Sequence, residues 1–291
     1  SKEARTRLIL SLSANLKVTG WLTLQARGNM DYSADKLRQK FYASTATALC
    51  GMNGRYIEMD YQETLMYGDV MAMAKKKLND FTLNIAIGGS INDKVVNSTR
   101  IDSKNASLKF ANVFNLANIV MSSSASIDQK IDAHYQLQSV FATAQAGYKE
   151  GAFLDLTARN DWSSTLAYTK YEKKGFFYPS IGVSFLPDKW VKMPEWVSFS
   201  KLRGAYSIVG NGVPPFITYP VSYVTAGGGM LASDAAPFAE MKPEMTRSVE
   251  LGMEWKFLQH RLGLNLTYYR TNTYEQFFKL PALAGDKYAY R

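Results

Sequence analysis

At 291 residues the chain is long enough for one large domain or two small ones, and no apolar run approaches the ~18 residues of a membrane-spanning helix, which argues against a helical membrane protein. A single cysteine, Cys50, excludes an internal disulfide framework and argues against a structural zinc site. The formal charge of +9 is spread through the whole pattern rather than massed on one segment, which reads as solvated surface and not as a nucleic-acid interface.

The start, Ser1-Lys2-Glu3-Ala4-Arg5, has neither an initiator Met nor the apolar core of a signal peptide, so the chain is read as a mature product or a piece of something longer. Leu8, Leu10, Leu12, Ala14, Leu16 and Val18 then alternate with Arg7, Ile9, Ser11, Ser13, Asn15 and Lys17. After Thr19-Gly20 the run Leu22, Leu24, Ala26, Gly28, Met30, Tyr32 keeps the same period. Period two means strand, and the tight turn makes residues 7–32 a hairpin. Periodicity fades over 33–63, read as a long loop holding Cys50-Gly51-Met52-Asn53-Gly54. A hairpin at 64–91 follows, then a second long loop at 92–137 with an apolar patch at 113–120, then a hairpin at 138–162 turning at Lys149-Glu150-Gly151. A loop at 163–175 leads into paired strands over 176–209, joined by a medium-length connection at 187–197. A proline-rich loop at 210–245 delivers the chain to a last hairpin at 246–272.

That last hairpin carries the clearest signal. Val249, Leu251, Met253, Trp255 and Phe257 alternate with Ser248, Glu250, Gly252, Glu254 and Lys256; Leu262, Leu264, Leu266 and Tyr268 then alternate with Gly263, Asn265, Thr267 and Tyr269. Runs of this kind match the roughly nine to eleven residues a tilted strand needs to cross a bilayer, where strands of soluble domains are nearer five or six. The connections also sort: short near 19, 77, 150 and 259, long near 48, 115, 169 and 228. In an up-and-down meander successive connections lie at opposite ends, so short turns collect at one end and long loops at the other, as in outer-membrane barrels. Loops of this length are abnormal in a compact soluble domain. The expected fold is therefore all-β, an antiparallel up-and-down transmembrane β-barrel.

Alternation alone does not say which face meets lipid. Trp21, Trp255 and Phe257 beside short turns, with Tyr32, Tyr148 and Tyr268 near strand ends, stand where girdle residues of a membrane protein would. On that basis Glu250, Glu254, Lys256 and Asn265 are expected to face the lumen. Catalytic chemistry is not expected: His260 falls in a short turn and His134 in a Ser-rich loop near Asp128 and Asp132, neither read as a hydrolytic or metal site, and the glycines at 227–229 precede no Lys-Ser/Thr. No metal or other cofactor is expected. Glycans and peptides are bound by flat aromatic faces and amides, so Trp162, Asn211, Phe216, Tyr219 and Tyr223 are the candidate substrate contacts. The plain alternative is that they pack the loops together.

Several stretches together resemble the SusC/RagA-like outer-membrane TonB-dependent transporters. They are Phe177-Tyr178-Pro179-Ser180-Ile181-Gly182-Val183, Lys201-Leu202-Arg203-Gly204-Ala205-Tyr206-Ser207 with Gly210-Asn211, Lys242-Pro243-Glu244 leading to Ser248-Val249-Glu250-Leu251-Gly252, and Arg261-Leu262 through Thr267-Tyr268-Tyr269-Arg270. Tyr148-Lys149 to Asp155-Leu156-Thr157-Ala158-Arg159 is similar to an earlier hairpin of the family. The resemblance implies a barrel of about 22 strands closed around a plug. Residues 1–291 then form a partial barrel domain, an internal section without the plug. It further implies active import of an oligosaccharide or oligopeptide across the outer membrane, energy from a TonB complex, and a SusD-like lipoprotein partner over the long loops. The alternatives are a passive outer-membrane porin or adhesin, and a soluble β-sandwich binding module.

Overall fold

A computed structural model describes residues 1–104, 108–120, 126–219, 221–224, 229–233, 235–283, 285 and 289; the side chains of Ser126, Tyr223 and Leu231 lie outside that description. The strands are β1 (Lys2–Lys17), β2 (Leu22–Phe41), β3 (Arg55–Leu78), β4 (Phe81–Asp102), β5 (Ser126–Tyr148), β6 (Ala152–Ser163), β7 (Phe176–Phe185), β8 (Val197–Asn211), β9 (Tyr223–Val224), β10 (Met230–Leu231), β11 (Glu244–Phe257) and β12 (Leu262–Tyr274). All but β9 and β10, which pair with each other, form one ten-stranded sheet in the order β1-β2-β3-β4-β5-β6-β7-β8-β11-β12, antiparallel throughout. Every neighbour in the sheet is the next main strand in sequence, which is an up-and-down meander.

The strands run further than their alternation suggests. β2 continues to Phe41 and β3 starts at Arg55, so the loop expected at 33–63 contracts to 42–54; β4 reaches Asp102 and β5 starts at Ser126, contracting 92–137 to 103–125. The reason is that alternation reports a difference between two faces, while the ladder needs only backbone partners. Past Tyr32 both faces of β2 are polar, and ion pairs such as Lys36–Asp60 and Arg38–Glu58 support the pairing instead. In the 113–120 patch one 3₁₀ turn, Leu116–Asn118, is capped by the Asn115 side chain.

The sheet has two faces and no core of its own. The largest fully buried side chains lie in loops and at strand ends, whereas Leu12 is 79% and Ile87 60% exposed in mid-strand. The register places Leu24, Ala72, Ile87, Ala142, Leu156 and Ile181 on one face across six strands. This apolar band runs from Leu22 to Tyr32 on β2 and from Phe81 to Ile91 on β4, giving way to Lys36 and Asp93 beyond. Its length matches the nine to eleven residues or so of a bilayer crossing. At the short-turn end a row of rings closes it, with Phe81 stacked on Tyr148 at 4.6 Å, Tyr148 against Trp190 at 5.3 Å and Trp196 on Phe257 at 5.6 Å. A soluble sandwich would bury such a face against a second sheet; the only other strands among the described residues are the two short ones β9 and β10. An apolar face of this extent marks an interaction surface or a lipid-facing wall, and strands of 10 to 24 residues in one meander favour the wall of a transmembrane barrel over a sandwich.

Candidate functional site: the polar wall and its loop rim

The opposite face carries the charge. On β1 to β4 the register alternates basic and acidic side chains across neighbouring strands. Arg5 binds Asp35 through two hydrogen bonds of 2.6 Å, Arg7 pairs with Asp31, Arg27 holds Asp69 at 3.0 Å, and Lys94 meets Glu63 at 2.7 Å. Arg5, Arg7, Asp31, Asp35, Tyr61 and Glu63 line an open cleft of about 640 Å³. At the other side of the sheet Glu250 and Glu254 lie on this same face, opposite Ala205 and Lys201 of β8, and Asn265 sits across from Glu254. Arg203 reaches Glu250 at 3.2 Å and donates to Thr267 Oγ1 at 2.8 Å, while Lys256 pairs with Glu254 at 3.3 Å. Gly252 makes this possible: a β-carbon there would stand 2.3 Å from the Arg203 Nε.

Two packed loop assemblies stand at the long-loop end. In the first, loop 42–54 and residues 108–120 interlock. Asn53 donates to the Leu108 carbonyl at 2.7 Å, Ala43 N–H donates to the Asn112 side chain at 2.8 Å, and Asn118 donates to the carbonyls of Phe110 and Val113. Tyr56, Leu108 and Ile119 form the buried cluster beneath, with Phe114 packed against it. Asp102, with no exposed side-chain surface, accepts from Arg55 Nε and Nη2, Arg100 Nη2 and the Lys104 N–H, all at 2.8 Å. Burial pushes the Asp102 carboxyl upward, but the Arg55 and Lys104 hydrogen bonds and the two guanidinium charges prevail and hold it below its ordinary value. In the second assembly Leu166, Val213 and Met241 are buried together, with Phe176, Ile217 and Phe277 packed on them. Thr218 Oγ1 donates to the Ala167 carbonyl at 2.9 Å, tying loop 212–243 to loop 164–175.

The sequence-derived substrate candidates are not gathered into one place. Tyr219 is 55% exposed and lies against Tyr168, ring centres 4.6 Å apart. Phe216, at a φ of 64°, belongs to the same loop. Asn211 ends β8 on the polar face and faces Glu244 at 3.5 Å. Trp162 is opposite Gln138, on the side of Leu154, Leu156 and Ala158, and so shares the apolar face rather than the polar one. The Tyr223 side chain lies outside the described residues. Sequence reasoning missed Tyr168, Tyr171, Phe238, Lys242 and Phe277. They come from three separated segments that only the folded rim brings together, and the sole hint was a concentration of aromatic and lysine residues in 163–175.

A ten-stranded meander, apolar outside over one bilayer height and charged on its other face, defines a section of a transmembrane β-barrel. The chain belongs to the TonB dependent receptor-like β-barrel family, whose sequence model matches residues 1–290; these are proteins of the outer membrane. A curated relative, TonB-dependent receptor P3 of Formosa agariphila, is 28% identical over 156 residues, half of this chain and 15% of that protein. Among solved structures the RagAB peptide transporter superimposes with a TM-score of 0.82 at 18% identity, over 99% of this chain and 32% of that one. The siderophore receptor PiuA from Acinetobacter baumannii gives 0.54 at 12% identity, over 92% and 40%. The chain thus spans less than half the length of each of these proteins.

Proposed function

We propose that this section forms wall and loop rim of an outer-membrane importer that takes up a nutrient oligomer, an oligosaccharide or an oligopeptide, with energy from a TonB complex and a SusD-like lipoprotein over the long-loop end. In this reading the charged face lines the lumen and the short turns lie in the periplasm. The observation that carries it is the pairing of a bilayer-high apolar band with a polar wall, densely charged on β1 to β4, in the wall fold of the RagAB peptide transporter. The decisive experiment compares uptake of labelled oligopeptides and oligosaccharides by energised cells with uptake by cells lacking the TonB complex. Loss of accumulation in the second supports active import; equal accumulation in both would make the barrel a passive porin.

Orientation has its own test. A spin label at Leu264 is expected to relax with dissolved oxygen, as in lipid, and one at Asn265 with a water-soluble nickel chelate; the reverse would turn the wall inside out. At the rim, Tyr219→Ala removes an exposed ring whose stacking is worth on the order of 1 kcal/mol, so uptake affinity is expected to fall by up to about tenfold. Unchanged uptake would remove Tyr219 from the substrate path.

A further inference from the structure

The second loop assembly frames a half-open cavity of about 720 Å³, with Ile217, Phe238, Met241, Phe277 and Phe278 as its apolar wall and Glu240, Lys242, Glu275, Gln276 and Lys279 as its polar lining. This is within the range of roughly 300–1,000 Å³ typical of ligand pockets. Its floor is fixed, because Met241 is 2% exposed in the cluster with Leu166 and Val213, and Phe277 packs on that cluster. Its upper wall is open: Phe278 is 72% exposed and Phe238 49%. At the mouth Lys242 pairs with Glu275 at 2.9 Å and Lys170 pairs with Glu240. Tyr171 lies beneath three ammonium groups, those of Lys170, Lys174 and Lys242, at 5.3 to 5.6 Å from its ring centre.

From this arrangement we infer that the cavity is a binding site for an oligopeptide, seating one bulky apolar side chain between Phe238 and Phe278 with charged or polar backbone flanks at the two ion pairs. The inference rests on the import reading and narrows its substrate class. A saccharide presents hydroxyls on every edge, and those seated between the Phe238 and Phe278 rings would exchange hydrogen bonds to water for ring faces, leaving only the polar lining of Glu240, Lys242, Glu275 and Gln276 to meet the rest. A phenylalanine or leucine side chain has no such cost, and the mouth offers both signs of charge, as a zwitterionic peptide requires. The position suits capture, since Glu275 directly follows β12 at the long-loop end, beyond the polar-face pairs Ser248–Thr271 and Thr246–Thr273.

The test uses the full-length receptor in detergent and two fluorescent pentapeptides, identical except for a central phenylalanine or alanine between lysine and glutamate. The phenylalanine peptide is expected to bind about tenfold tighter, the size that follows from taking a phenyl ring largely out of water. Phe278→Ala, an exposed position that leaves the floor intact, and the double variant with Phe238→Ala should abolish that discrimination. Equal binding of the two peptides, no peptide binding, discrimination unchanged in the double variant, or displacement of the peptide by a maltopentaose competitor would each overturn the assignment. These results are separate from the import reading. Uptake that depends on the TonB complex yet ignores the two phenylalanines sinks only the pocket, whereas discrimination in binding without accumulation in energised cells sinks import.

Discussion

Asp102→Asn is expected to open the first loop assembly while leaving the band strands intact. The carboxylate is fully buried and accepts four hydrogen bonds, three of them from the guanidinium groups of Arg55 and Arg100. Neutralising it leaves two cations facing each other around a site with no counter-charge, and breaking a buried pair from one side costs about 3–5 kcal/mol. That corresponds to more than a hundredfold in the local opening equilibrium. Hydrogen exchange read at residues 108–120 and at Ser103, whose N–H bonds the Tyr56 carbonyl, should accelerate accordingly. Exchange in β3 and β4 below Thr64 should not change. Arg100→Ala, which removes a partner 41% exposed, should have a much smaller effect. Equal effects of the two, or none, would show that the network does not hold the loops.

The same carboxylate sets the pH response. Its folded value lies below its ordinary one, so its contribution is complete above the ordinary carboxylate range and disappears as pH falls through the depressed value. Glu58 behaves alike: desolvation raises it, but hydrogen bonds from Tyr56 and Arg38 bring it below its ordinary value. Protection of the first loop assembly should therefore be flat from pH 8 down to about 5 and weaken only in more acid solution. Weakening as pH rises from neutral would contradict both groups.

What could be read from the sequence follows from what alternation measures. Wherever one face is apolar and the other polar, as in Val249 to Phe257, the strand was legible, and Glu250, Glu254, Lys256 and Asn265 share a face in the register. Where both faces met water, as from Ser33 to Phe41, the signal vanished although the ladder continued. The rim was illegible for another reason. Tyr168 meets Tyr219, and Lys170 meets Glu240, across loops whose conformation is set by the buried contacts of Leu166, Val213 and Met241. No local pattern encodes such meetings. Trp162 shows the converse: its ring suggested a substrate contact, and the parity of β6 sets it on the same side as Leu154 and Leu156.

A second large effect of a single residue is expected at Ile87, and its neighbour supplies the control. Ile87 is 60% exposed at the middle of the apolar band, between Ala72 of β3 and Ala142 of β5. Replacing it with Arg puts a guanidinium near the bilayer midplane, a cost of about 2–4 kcal/mol in a barrel wall. The adjacent small side chains let the long side chain lie flat but offer no polar atom to meet it. Ala86, one residue earlier, points to the charged face opposite Met73 and Thr143. There the same Arg enters a wall already studded with ion pairs, and the expected cost is within about 0.5 kcal/mol. Urea titrations of the full-length receptor refolded into lipid vesicles measure the difference. The sign of Ile87→Arg minus Ala86→Arg therefore tests the fold, the band and the register together, because a one-residue slip of β4 would exchange the two results. Equal costs would mean that neither face meets lipid at this height.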